Sequence, residues 1–116
     1  MQEITRETYG AEVLRSSQPV VVDFWGPRCV PCQQLLPIVE RLDQELGQPQ
    51  GVKTVKVNAQ QNRMLCVDTN VRSLPTFLLI SGGVEVQRLT GDVSIASVQQ
   101  LFRDAVALSH NVVADS

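Results

Sequence analysis

A chain of 116 residues, 43% of them hydrophobic and 19% charged, holds enough apolar side chains for one core and too few for two, a composition that excludes a chain disordered as a whole. Ten Lys and Arg against twelve Asp and Glu leave a net charge of -2 with neither sign gathered into a block, which excludes a basic surface for nucleic acid or an anionic membrane. The longest apolar stretches fall far short of the roughly 18 residues of a membrane helix, and the acidic start Met1–Glu7 lacks the apolar segment of a secretory leader, so a cytoplasmic protein is expected.

Ile4 to Arg15 carries Tyr9, Val13 and Leu14 at helical spacing among charges, with Thr5 placed as a cap, and predicts a first helix. After the turn-forming Ser16-Ser17-Gln18-Pro19, the run Val20–Trp25 is almost wholly β-branched and aromatic, the pattern of a strand covered on both faces. Gly26-Pro27-Arg28 breaks it. From Cys29 onward Leu35, Leu36, Val39, Leu42 and Leu46 recur at helical spacing and Gly47 marks a stop, so a helix opens at or near Cys29 and bends at Pro37. Val52–Val57 alternates as a strand, Gln61–Asn70 suits a short helix, and Thr76–Ile80, Gly82-Gly83 and Val84–Leu89 read as strand, tight turn and returning strand. Asp92 or Ser94 is placed to cap a last helix through Val98, Leu101, Phe102, Val106 and Leu108, after which weak patterning over 108–116 predicts a flexible tail. The alternation implies one α/β domain over 1–116, a sheet with helices on both faces.

Three cysteines in a chain without a leader argue against a structural disulfide framework, and a CxxC pair by itself serves zinc, iron–sulfur and redox sites alike. The surroundings of Cys29 and Cys32 narrow the choice. The pair follows a buried strand and opens a helix, where unpaired amides and the positive end of the helix dipole favour a thiolate. Cys32 lies close to one turn further in, near enough to close a small disulfide ring and more sheltered than Cys29. Cys29 is therefore the expected attacking sulfur and Cys32 the resolving one. Arg28 adds a permanent cation beside Cys29 and lowers its pKa further, unless it is simply a solvated loop arginine. Asp23 stands inside an apolar strand, where it is either buried, raised in pKa and used as a proton shuttle for Cys32, or a strand-end carboxylate at the surface.

In order, these residues resemble the thioredoxin family from about Ile4 to Leu108. Val22-Asp23-Phe24-Trp25 is similar to that family's strand with a buried acid, Cys29-Val30-Pro31-Cys32 to its redox loop, and Pro37 to its helix kink. Lys56-Val57-Asn58 is similar to its lysine-bearing strand, and Ser73-Leu74-Pro75-Thr76 to the loop holding its cis proline. The resemblance implies a thioredoxin fold, a central mixed β-sheet flanked by helices on both faces, and exchange between thiols and disulfides that maintains redox balance and electron transport with no bound cofactor beyond the Cys29–Cys32 disulfide. It implies that Asp23 is buried near Lys56, that Pro75 is cis and turns the Leu74 backbone toward the cysteines, and that Trp25, Arg28, Val30, Pro31, Leu74, Pro75 and Gly91 belong to the docking surface. It further implies disulfide-containing protein substrates, a flavin- or ferredoxin-dependent reductase as electron donor, and a monomer.

Arg28 stands where the family usually has tryptophan, and Val30 where it has glycine. The first replaces a flat apolar docking surface with a cation; the second stiffens the loop through β-branching. An oxidase or isomerase of the same fold is therefore a second expectation, since a stabilised thiolate makes a stronger oxidant. A metal module would need four ligands, with only Cys66 and His110 available besides the pair. A non-catalytic domain is disfavoured by the intact Cys29, Cys32, Asp23 and Pro75. Cys66, with Met64, Leu65 and Val67 around it, is expected to be a buried structural thiol rather than a regulatory one. No specific role is expected of His110.

Overall fold

The computed structural model describes the backbone of residues 1–114 and the side chains of residues 1–110. Five strands form one mixed sheet in the order β1-β3-β2-β4-β5: β1 Gln2–Ile4, β2 Val20–Trp25, β3 Lys53–Asn58, β4 Thr76–Ser81 and β5 Val84–Thr90. β1 and β2 run parallel to β3 on either side of it, while β4 runs antiparallel to β2 and to β5. Four helices cover the sheet: α1 (Arg6–Tyr9), α2 (Val30–Leu42), α3 (Arg63–Asp68) and α4 (Ile95–Ala114). Gly10–Leu14 and Asp43–Gly47 prolong α1 and α2 as wider π-helical turns.

The period-two alternation of β2 divides the core. Val20, Val22 and Phe24 pack with Tyr9, Val13 and Leu65, on the face covered by α1 and α3. Val21 packs with Leu35, Val39, Leu101 and Phe102, on the face covered by α2 and α4. Asp23 shares the second face, under the helix that carries Cys32. Both faces being covered explains why the strand reads as an unbroken apolar run.

Two elements differ from the sequence-based expectation, the N-terminal segment and the end of the last helix, and the structure chooses between the two caps expected for that helix. Gln2–Ile4 supplies an edge strand where Ile4 was expected to begin a helix. Ile4 is fully buried against the sheet, and the helix starts only at Arg6, with the Thr5 amide donating to the Thr8 hydroxyl at 2.9 Å. Ser94, not Asp92, caps α4: its hydroxyl accepts from the Ser97 amide at 3.0 Å, and the Ser97 hydroxyl accepts from the Ser94 amide at 3.1 Å. α4 then runs through Ala114 in place of the tail expected from 108, of which 115–116 lie outside the described residues. The hairpin is as expected. Gly82 and Gly83 both have positive φ, 60° and 78°, and a Cβ on Gly83 would lie 2.9 Å from the Leu14 carbonyl oxygen.

Candidate active site

β2 ends at Trp25, and α2 begins at Val30 with Cys29 as its cap. The Cys29 backbone is extended while its Sγ accepts a hydrogen bond from the Cys32 amide at 3.2 Å, so a sulfur occupies the place that a serine or aspartate oxygen takes in an ordinary cap. Pro31, which lacks an amide donor, falls in the first turn, where no donor is needed. Cys29 and Cys32 are joined as a disulfide with Cα atoms 5.3 Å apart. Their exposures differ as expected: Cys32 is only 3% exposed, whereas Cys29 is half-buried and lines a cavity of ≈ 390 Å³ together with Arg28 and Leu74. Val30 is 61% exposed beside it, and Pro31 is exposed as well.

The Leu74–Pro75 peptide bond is cis, and Leu74 meets the same cavity as Cys29. The loop that carries it is tied to the sheet, because the Thr90 hydroxyl lies 3.0 Å from that of Ser73 and 2.9 Å from that of Thr76. Gly91 follows Thr90 directly, with a φ of 81° and open space around it.

Asp23 is 1% exposed. It pairs in register with Lys56 on β3 and with Phe77 on β4, so one neighbour is a cation and the other a ring. Burial is the larger influence and raises the Asp23 carboxyl from 3.8 to about 7, against the pull of the Lys56 ammonium. Lys56 is itself shared. Its Nζ lies 5.7 Å above the Trp25 ring and 4.0 Å from Glu3 Oε1, and Glu3 is its register partner on β1. Trp25 is half-buried, and its Nε1 is buried with no partner among the described residues. Glu3 escaped the sequence reading because three residues of edge strand are too few to display alternation.

A larger concavity, ≈ 730 Å³, lies elsewhere, lined by Tyr9, Leu65 and Ile80 and rimmed by the ion pairs Arg6–Asp68 and Arg88–Glu85. No cysteine lines it. Among the described residues no three His, Cys, Asp or Glu are placed to hold a metal ion, and His110 lies 2.9 Å from Gln50 Oε1.

A two-cysteine helix cap beside a buried acid and a cis proline invites comparison with known proteins. The family model for thioredoxin matches residues 1–104. The chain belongs to the thioredoxin family. Thioredoxin 1 of Nostoc sp. is 37% identical over 98 residues, 84% of this chain and 90% of that one. Thioredoxin 1 of Synechococcus elongatus is 39% identical over 90 residues, 78% and 82% of the two chains. The thioredoxin of Mycolicibacterium smegmatis is 33% identical over 103 residues, 89% and 92%. The crystal structure of the Malassezia sympodialis thioredoxin superposes with a TM-score of 0.81 over 91% of this chain and 90% of that one, at 22% identity, which supports the fold. The chain is a thiol–disulfide oxidoreductase of the thioredoxin type, and the site described above carries the disulfide that such chemistry requires.

Proposed function

We propose that this protein reduces disulfides in other proteins, with Cys29 as nucleophile and Cys32 as resolving thiol. The Cys29 thiolate attacks one sulfur of the target disulfide, forms a mixed disulfide and expels the target's first thiolate. Cys32 then gives its proton to Asp23, attacks the Cys29 sulfur and releases the target's second thiolate. The target gains two electrons, and the Cys29–Cys32 pair loses them as its own bond forms. The observation that carries this assignment is the difference in access, with Cys29 on the cavity and Cys32 buried one turn behind it. An Asp23 carboxyl raised to about 7 is suited to accept a thiol proton near neutral pH. Arg28, exposed on the same cavity, favours the thiolate form of Cys29.

In this reading Trp25, Val30, Pro31, Leu74, Pro75 and Gly91 contribute to target docking, with the Leu74 backbone offered to an extended segment of the target. The protein works as a monomer in the cytoplasm, needs no bound cofactor and is recharged by a flavin- or ferredoxin-dependent thioredoxin reductase, which places it in an electron-transport chain. That no helix among the described residues is long and apolar enough to cross a membrane is compatible with this. The test is substitution of each cysteine. Cys29→Ser is expected to abolish reduction of a protein disulfide, and Cys32→Ser to accumulate a mixed disulfide visible by intact mass. Normal turnover by Cys32→Ser would overturn the roles.

Arg28 in place of an apolar residue also supports an oxidase or isomerase. The reduction potential of the pair separates the two: near roughly -270 mV for a general reductase, toward roughly -180 mV or above for an oxidase or isomerase.

A further inference from the structure

The groove where a target meets Cys29 is lined by charge of a single sign. Two adjoining cavities form it. The first includes Arg28, Cys29, Arg63 and Leu74, the second Arg63, Cys66, Arg72 and Leu74, and Ala59, Arg63 and Leu74 are common to both. No Asp or Glu lines either cavity. Arg28, Arg63 and Arg72 are exposed, and among the described residues none has a carboxylate within ion-pair distance. Of the other seven cations, Arg6, Arg41, Lys53, Lys56 and Arg88 each pair with an acid, whereas Arg15 and Arg103, which line neither cavity, have no carboxylate partner among the described residues. In a chain of net charge -2, three of the five guanidinium groups without a carboxylate partner among the described residues thus line the groove at the sulfur that receives the substrate.

We propose that this groove selects target proteins carrying acidic residues beside the disulfide to be reduced, with Arg28, Arg63 and Arg72 as specificity determinants. The inference rests on the redox reading above and names its substrate class. Exposed ion pairs add little affinity one at a time, but several cations facing one segment steer encounter and raise association rates by roughly 10-fold or more at low ionic strength. Guanidinium groups also meet carboxylates through paired hydrogen bonds, which fixes the orientation of the bound segment. Chemistry and docking reinforce each other here, because each exchange step expels a target thiolate, an anion that leaves more readily among cations. Leu74 and the exposed Val30 supply the apolar contact next to the reacting sulfur.

The experiment uses the reduced full-length protein and three disulfide-bridged peptides of identical core sequence flanked by Glu, by Gln or by Lys, with single-turnover exchange followed by mass spectrometry. The Glu-flanked peptide is expected to react about tenfold or more faster than the Lys-flanked one at low salt. The rates should converge at 1 M salt, where the screening length falls to about 3 Å. The double variant Arg63→Gln/Arg72→Gln is expected to pull the ratio of Glu- to Gln-flanked rates toward one, and Arg63→Lys/Arg72→Lys to restore most of it. Equal rates for the three peptides, or a preference that survives both the Gln variant and 1 M salt, would overturn the charge-selection inference while leaving the redox reading intact. Failure to exchange with any peptide would overturn the redox reading and this inference with it.

Discussion

Replacing Asp23 by Asn keeps the shape of the side chain and removes a charge the core tolerates poorly. The carboxyl rises from 3.8 to about 7 on folding because burial penalises the charged form more than Lys56 favours it. The folded protein therefore binds this proton more tightly than the unfolded chain does. Below the unfolded value both states are protonated and Asp23 costs nothing. Between 3.8 and about 7 the unfolded chain releases its proton while the folded one keeps it, so stability falls as pH rises, and the loss is complete above about 7. At about 1.4 kcal/mol per pH unit, the full interval amounts to roughly 4 kcal/mol. The Asp23→Asn variant escapes this loss. Its expected gain over the parent is about 1.5 kcal/mol near pH 5 and about 4 kcal/mol near pH 8.5, measured by urea unfolding of the oxidised form at each pH. The same variant should resolve mixed disulfides more slowly than it forms them, since Cys32 has lost its proton acceptor. A gain that does not grow with pH, or a loss of stability at the alkaline end, would refute the burial of an ionisable carboxylate.

Lys56→Met removes the one group that opposes burial at Asp23 and should push that carboxyl above about 7, shifting the resolving step's pH profile toward alkali; a carboxyl carbon NMR titration that stays in place would contradict this. Gly83→Ala would set a Cβ 2.9 Å from the Leu14 carbonyl oxygen at a φ of 78° and should cost about 1–3 kcal/mol in unfolding free energy. Gly91→Ala, with a similar φ of 81° but open space, should cost less, and thermal melts of the two variants would rank them. Cys66 is half-buried and lines a cavity, not fully buried as the sequence led us to expect; its partial burial still raises its pKa, so its alkylation near neutral pH should be slower than that of an unstructured cysteine, as site-resolved mass spectrometry can follow. Phe102→Ala should destabilise by about 3–5 kcal/mol, because the ring is wholly buried between α4 and the sheet; a loss below about 1 kcal/mol would show that the site collapses around the missing ring.

What the sequence made legible follows from where its signals are strong. Val20–Trp25 is covered on both faces and therefore announces itself as apolar throughout, and a CxxC pair at a strand-to-helix junction has few other uses. Gly82-Gly83 marked the hairpin because both positions need a positive φ. The edge strand β1 was illegible, since its three residues look like a helix approach until β3 is there to pair with them. Asp43 gave no hint of burial: it lies in the π-helical turn that prolongs α2, where among the described residues only Gln48, 2.7 Å away, meets one of its oxygens. Arg63 and Arg72 likewise carry no local signature. They are surface arginines far apart in sequence from Cys29, and only folding brings α3 and the proline loop alongside it.

The sulfur cap at the start of α2 links electron transfer to helix structure. In the disulfide state the Cys32 amide points at a nearly neutral sulfur, a weak acceptor for the positive end of a 13-residue helix. Two electrons turn that sulfur into an anion at the same place, and the helix end then gains the charged partner it lacked. Reduction therefore tightens the first turn of α2 as well as opening the bond. Any change that weakens that turn would make the pair harder to reduce, even if it never touched a cysteine.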